Sequence, residues 1–124
     1  MEKIILSINP QWLDKIRKHK KIIEIRKTKP RTPFEALCYE TKKFNGCGEI
    51  TSKFKCFQVD KITIDDLADS DISNFVCRFA GISKSELKLY MGNKGYIYLW
   101  YVDEFCDIEH EKINYIPQSW VYSK

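Results

Sequence analysis

The spacing of hydrophobic residues at the start of the chain predicts a strand followed by a helix. Ile4 to Ile8 is apolar except for one serine, which is typical of a short strand. Asn9 and Pro10 follow, and these residue types favour the N-cap and the first position of a helix. Hydrophobic residues then recur at helical spacing, with cations on the other side, so a helix ending near Lys18 to Lys20 is expected; its apolar positions are Trp12, Leu13 and Ile16.

Alternating and continuous apolar runs predict three more strands in the first half of the chain. Ile22 to Lys27 is the first, and the basic, proline-containing loop Lys29 to Pro33 ends it. Glu35 to Thr41 is the second. Asn45 to Gly48 has the composition of a tight turn, and a long strand over Glu49 to Val59 is expected after it.

Two helices are predicted in the second half. The acidic stretch Asp60 to Asp71 offers several helix caps, and Ser73 to Ala80 reads as a helix that Gly81 stops. Ser83 and Glu86 have capping-box spacing and predict the start of a further helix, which Gly92 ends.

The C-terminal third predicts two strands. Tyr96 to Phe105 is apolar on both faces, which is typical of a central strand. An acidic, irregular stretch follows, and Pro117 to Tyr122 is expected to form a closing strand. Many strands with few helices predict an α+β fold. We expect a curled sheet or a small barrel, because closure removes exposed edges.

The length of 124 residues suits one domain over residues 1–124. No apolar run approaches the ~20 residues that span a bilayer, and the first residues turn polar too soon for a signal peptide. We therefore expect a cytoplasmic protein that contacts no membrane.

The five cysteines form no Cys-x-x-Cys pair, and the two histidines, His19 and His110, lie far apart in sequence. Zinc sites usually have paired, closely spaced ligands. The sequence therefore predicts reduced thiols and neither a metal nor a cofactor.

Positive charge is concentrated near the N-terminus. Residues 1–31 contain ten Lys or Arg and three acidic residues, whereas the rest of the chain has more acids than bases. Such a basic face is expected where phosphates are bound, although a solvated helix face gives the same composition. The candidate phosphate contacts are Lys15, Arg17, Lys18, Lys20, Lys29 and Arg31.

One charged cluster stands at the junction of the first helix and the second strand. On a strand over Ile22 to Lys27, Glu24 and Arg26 share a face, and Lys21 stands at its entrance. Such a cluster can bind a polar, anionic ligand, or it can be an ordinary surface ion pair.

The segment His19 to Arg26 resembles the GxKxxExR signature of the ASCH domain family, which belongs to the PUA-like superfamily of small mixed β-barrels with flanking helices. The likeness extends along the chain to bacterial and phage members. It includes the opening Leu6 to Pro10, the segments Gly48 to Ile50 and Gly81 to Lys84, the run Tyr90 to Tyr96 and the closing Pro117 to Trp120.

The resemblance implies a cleft beside the barrel, lined by Lys21, Glu24 and Arg26, in an RNA-binding or coactivator-like module. Two residues depart from the family pattern. His19 replaces the signature glycine, so its ring either faces the ligand or occupies a left-handed cap. Glu24 stands where ASCH-like amidohydrolases of N4-acetylcytidine have a threonine nucleophile, and a carboxylate does not replace a hydroxyl in that role.

Three functions stay open from the sequence. In the first, the protein binds RNA or single-stranded nucleic acid, with Glu24 and Arg26 at a base edge and Trp100, Tyr98 or Trp120 stacking on a base unless they serve the core. In the second, Lys21 and Glu24 hydrolyse a modified nucleoside. The third is a protein-interaction domain that uses two acidic stretches, Asp60 to Asp71 and Asp103 to Glu111.

Overall fold

The computed structural model describes residues 1–123, and within them the chain forms eight strands and four α-helices. The strands are β1 (Glu2–Ile8), β2 (Ile23–Arg26), β3 (Phe34–Glu40), β4 (Ile50–Cys56), β5 (Val59–Thr63), β6 (Tyr96–Tyr101), β7 (Asp103–Glu111) and β8 (Trp120–Tyr122). The helices are α1 (Pro10–Arg17), α2 (Ile64–Leu67), α3 (Ser70–Ala80) and α4 (Lys84–Met91). The predicted α+β class is confirmed.

The strands form two sheets. The larger has the order β7-β4-β3-β1-β8, in which β1 and β3 run parallel and the other pairs are antiparallel. The smaller has the antiparallel order β2-β6-β5. Within residues 1–123 the strand order of neither sheet closes into a ring, so the predicted closed barrel is not confirmed.

The small sheet is the middle layer of the molecule. Ile23, Ile25, Ile97 and Leu99 on one face pack against α3 and α4 in one hydrophobic core. Trp100 on the other face packs in a second core with residues of β1, β3, β4 and α1. Glu24 pairs in register with Trp100, and Arg26 with Tyr98, so both charged residues are on the side that faces the large sheet.

The start of the chain folds as its hydrophobic pattern predicts. The first helix has Asn9 in the N-cap position and Pro10 in its first turn. The Asn9 side chain does not cap the helix, however, because its Oδ1 accepts a hydrogen bond from Thr41 Oγ1 at 2.7 Å. This hydrogen bond connects the end of β3 to the start of α1.

The predicted caps in the second half are also present. Ser83 and Glu86 form the expected capping box at α4. Asp69 caps α3, and Gly81 ends it in a left-handed conformation with φ 70°. The acidic stretch Asp60 to Asp71 also contains most of strand β5, which was not predicted because the stretch is rich in aspartate.

Two predicted long strands are wrong, and both fail in the same way. Glu49 to Val59 divides at Phe57 and Gln58 into β4 and β5, and Tyr96 to Phe105 divides at Val102 into β6 and β7. Each pair of segments belongs to different sheets, so the chain turns from one sheet to the other without a long loop. The acidic stretch after Phe105, expected to be irregular, continues β7 as an exposed edge strand.

Candidate functional site

A tight turn between α1 and β2 sets the position of Lys21. The backbone N–H groups of Lys20 and Lys21 both donate to the carbonyl of Lys15, at 2.9 and 3.2 Å. His19 adopts the left-handed conformation that this turn requires, with φ 58°. The left-handed cap predicted for His19 is confirmed, and the strand that carries Glu24 and Arg26 begins two residues after Lys21.

Glu24 is the centre of a buried ion cluster. Its Oε1 lies 3.1 Å from Nζ of Lys21, and its Oε2 lies 2.8 Å from Nη2 of Arg26. The Lys21 and Glu24 side chains are 3% and 6% exposed, so this cluster is no ordinary surface ion pair. Its formal charge is +1.

Three protein oxygens surround the ammonium of Lys21. Nζ donates to the carbonyls of Ile23 at 2.6 Å and Ala80 at 2.8 Å, and it pairs with Glu24 at 3.1 Å. The ammonium therefore joins the start of β2 to the end of α3. These contacts hold Lys21 beside Glu24 and give it a structural role in the cluster.

Arg26 extends the cluster to the closing segment of the chain. Its Nε and Nη2 donate to Glu24, Nη2 also donates to the carbonyl of Ser7 at 2.9 Å, and Nη1 donates to Oγ of Ser119 at 3.1 Å. A guanidinium has five N–H groups. These four hydrogen bonds leave one N–H on Nη1 for a further acceptor.

Burial and charge shift the pKa values within the cluster. Burial lowers the pKa of Lys21, and the opposing attraction of Glu24 does not restore it. Burial would raise the pKa of Glu24, but the charges and hydrogen bonds of Lys21 and Arg26 together lower it below its ordinary value of 4.5. The carboxylate is therefore held in its ionised form.

The cluster lines a cavity of about 540 Å³ at the end of β1. Its polar lining residues include Lys21, Glu24 and Arg26, and its aromatic lining residues are Trp12 and Tyr90. A volume of this order suits a small-molecule group such as a nucleoside. The same cavity is also lined by Ser7, Ile8, Asn9, Ile25, Thr41, Lys43, Ile82, Glu86, Leu89 and Gln118.

His19 does not line this cavity. Its side chain is exposed on the turn, and its left-handed backbone conformation forms that turn; contact between its ring and a ligand stays a prediction. The three predicted stacking residues are also elsewhere. Trp100 is fully buried in the core, and Tyr98 packs against that core; Trp120 is half-buried with its Nε1 donating to Thr28 Oγ1 at 2.9 Å.

The six predicted phosphate contacts divide into engaged and available cations. Lys15 donates to the carbonyl of Gly81, Arg17 pairs with Asp14 and Asp107, and Arg31 pairs with Glu2. The other three, Lys18, Lys20 and Lys29, are exposed and make no side-chain hydrogen bond or ion pair within residues 1–123.

Two aromatic residues that line the cavity, Trp12 and Tyr90, were not among the predicted site residues. Trp12 was assigned to the apolar face of α1, but it is only half-buried, and the ammonium groups of Lys15 and Lys21 lie 4.8 and 5.4 Å from its ring centre. Tyr90 is exposed on α4 beside Leu89, which is 85% exposed. The sequence contained one indication of this surface. The helix predicted after Ser83 has more apolar residues than one buried face can hold, so some of them had to be exposed.

Comparison with solved structures shows which fold this is. The ASCH protein of Zymomonas mobilis matches with a TM-score of 0.79 over 99% of this chain and 88% of that one, at 14% sequence identity. A single-substitution variant of the same protein matches with a TM-score of 0.78 over 100% of this chain and 91% of that one, at 15% identity. No family model and no curated protein matches the sequence. At this identity the likeness shows the fold.

Proposed function

The chain has an ASCH-type fold, and on that basis we propose that it is a nucleic-acid-binding module that takes a base of RNA or of a single strand into the Lys21–Glu24–Arg26 cavity. The fold is consistent with this class of function. The base would be unpaired, because bases within a duplex do not reach a cavity of this kind.

The proposal is supported by one observation: charged hydrogen-bonding groups and two aromatic residues line the same cavity. Arg26 keeps one N–H for a carbonyl or ring nitrogen, and the Glu24 oxygens retain lone pairs that can accept from an amino group. Trp12 and Tyr90 line the same cavity, with lysine ammonium groups 4.8 to 5.4 Å from their ring centres. In this proposal a base stacks on a ring face that the lysines leave open. Hydrogen-bonding groups beside stacking surfaces are what recognition of a single base requires.

The ion pairs of Glu24 favour recognition over hydrolysis. A general base or a nucleophile needs a group that can exchange a proton with the substrate. Lys21 and Arg26 stabilise the Glu24 carboxylate, which makes it a weaker base. The cluster is therefore better suited to holding charge in place than to taking a proton from a substrate.

The exposed lysines near the end of α1 supply the affinity for phosphates in this proposal. Lys18 and Lys20 follow the helix whose start lines the cavity, and Lys29 follows the strand that carries Glu24. Neutralised phosphates release counterions, which makes the binding salt-dependent.

We further propose that the two sheets are an opened form of a PUA-like barrel. The chain passes from the large sheet to the small one at Phe57 and Gln58, and back at Val102. Backbone hydrogen bonds from Tyr101 to Gln58 and from Val102 to Ile22 extend the ladders of the small sheet to these points. Strands that bend from one sheet into the next are the corners from which small barrels are built.

The test is a binding titration with short single-stranded RNAs over a series of salt concentrations. We expect the affinity to fall as salt rises. Lys18→Glu/Lys20→Glu should lower the slope of log K against log salt by about 1.4, since each phosphate contact in a single strand contributes about 0.7.

Lys3→Glu is the matched control, because Lys3 lies at the opposite end of β1 from the cavity and its side chain is 62% exposed. It should leave the slope nearly unchanged. Binding that is insensitive to salt, or equally affected by both charge reversals, would contradict the proposal.

A further inference from the structure

A second cluster of chemically reactive side chains lies away from the cavity. The ligand atoms of Cys47, Glu49 and His110 all lie within 4.8 Å of one another. Cys47 and His110 are exposed and Glu49 is half-buried. A thiol, an imidazole and a carboxylate in one place are a typical set of protein ligands for Zn²⁺.

The cluster is built by the fold, because His110 is about 60 residues away in sequence from Cys47 and Glu49. Glu49 directly precedes β4, and β4 pairs with β7 so that Ile50 lies opposite Glu111. This register brings His110 beside Glu49, with Nδ1 of His110 lying 3.5 Å from Oε1 of Glu49. Two ligands about 2.0–2.1 Å from a tetrahedral zinc ion are separated by roughly 3.3 Å, so this pair is close to the required spacing.

Hydrogen bonds to Glu40 hold the loop that carries Cys47. The backbone N–H of Cys47 donates to Oε2 of Glu40 at 2.9 Å, and that of Gly48 donates to the Glu40 carbonyl at 3.0 Å. Gly48 has φ 72°, and the side chain of Lys42 passes so close to it that a Cβ atom would clash. The turn therefore places Cys47 on a defined backbone, and the Glu40 carboxylate adds negative charge that attracts a cation.

We propose that Cys47, Glu49 and His110 bind one Zn²⁺ ion at the surface of the β4–β7 edge. Three protein ligands leave the fourth tetrahedral position to water or to a group from another molecule. The site is separate from the Lys21–Glu24–Arg26 cavity and does not depend on the function proposed for it. The ligand atoms are side-chain termini on half-buried or exposed residues, so small rotations can bring all three to bonding distance.

The test uses the full chain under reducing conditions. Bound metal is first removed with a chelator, and the chelator is then removed. Zn²⁺ is titrated calorimetrically, and Co²⁺ is used as a spectroscopic probe for a thiolate ligand. We expect one ion per chain and a thiolate-to-cobalt charge-transfer band. Cys47→Ser should abolish the band, and Cys47→Ser and His110→Ala should each weaken Zn²⁺ binding at least tenfold.

Cys106→Ser is the matched control, because Cys106 is also an exposed, reduced cysteine on β7 but lies outside the cluster. It should bind both ions as the unchanged chain does. Urea unfolding of every variant shows that the fold is kept. The proposal is overturned if the unchanged chain binds no Zn²⁺, if Cys47→Ser and His110→Ala bind it as well as the unchanged chain does, or if Cys106→Ser removes the binding.

Discussion

Arg26 binds Glu24 through a single oxygen. Its Nε and Nη2 lie 3.0 and 2.8 Å from Oε2, which leaves Oε1 to the ammonium of Lys21 at 3.1 Å. One carboxylate thus pairs with a cation on each side and leaves a net charge of +1, and both contacts are largely shielded from water.

Removing the charge of Glu24 should strongly destabilise the fold. Glu24→Gln keeps the shape of the side chain but leaves Lys21 and Arg26 as buried cations without a counter-ion. Breaking a buried pair in this way costs on the order of 3 kcal/mol in the free energy of unfolding. Urea unfolding measures it. Glu35→Gln, which breaks the long 3.9 Å contact with exposed Lys3, should cost about 1 kcal/mol or less; equal losses would contradict the buried-cluster account.

Lowering the pH should remove the contribution of Glu24 to the free energy of unfolding. Its pKa in the folded state lies below the ordinary 4.5, so the unfolded state binds the proton more tightly and stability falls as the pH drops below about 4.5. Glu24→Gln has no such group and should show a shallower loss of stability between pH 5 and the acid end of the titration. The free energy of unfolding, measured as a function of pH for both chains, checks this; parallel curves would contradict it.

Glycine in place of His19 should stabilise the protein. His19 has φ 58° and an exposed side chain, and a non-glycine residue in this conformation costs on the order of 1 kcal/mol. His19→Gly should therefore raise the free energy of unfolding by about 0.5–1 kcal/mol and leave RNA affinity unchanged. Lys20→Gly, at the next residue with a negative φ, should instead lower stability. A fall in RNA affinity for His19→Gly would indicate instead that the imidazole contacts the ligand.

Loss of the Tyr90 ring should weaken binding without unfolding the chain. Stacking of one base on an aromatic ring contributes about 1–3 kcal/mol, so Tyr90→Ala should reduce RNA affinity by roughly 5- to 150-fold. Tyr115→Ala is the control, since Tyr115 is 66% exposed and does not line the cavity. Fluorescence anisotropy with a labelled single-stranded RNA measures both, and equal effects would exclude Tyr90 as the stacking residue.

Local elements and the charged cluster could be predicted from the order of residues alone. The period of two along β2 put Glu24 and Arg26 on one face, and residue types with strong local preferences marked the caps at Ser83 and Gly81. These features depend on contacts between residues that are near in sequence, so a single sequence is enough to infer them.

Long-range packing sets where the long strands bend and which distant side chains meet. The divisions at Gln58 and Val102 follow from packing two sheets around one core, and the apolar pattern continues through both. His110 reaches Cys47 because β7 pairs with β4, and Arg26 reaches Ser119 because the closing segment returns to β1. Contacts across 60 or more residues depend on strand register, which a lone sequence does not encode in any local pattern.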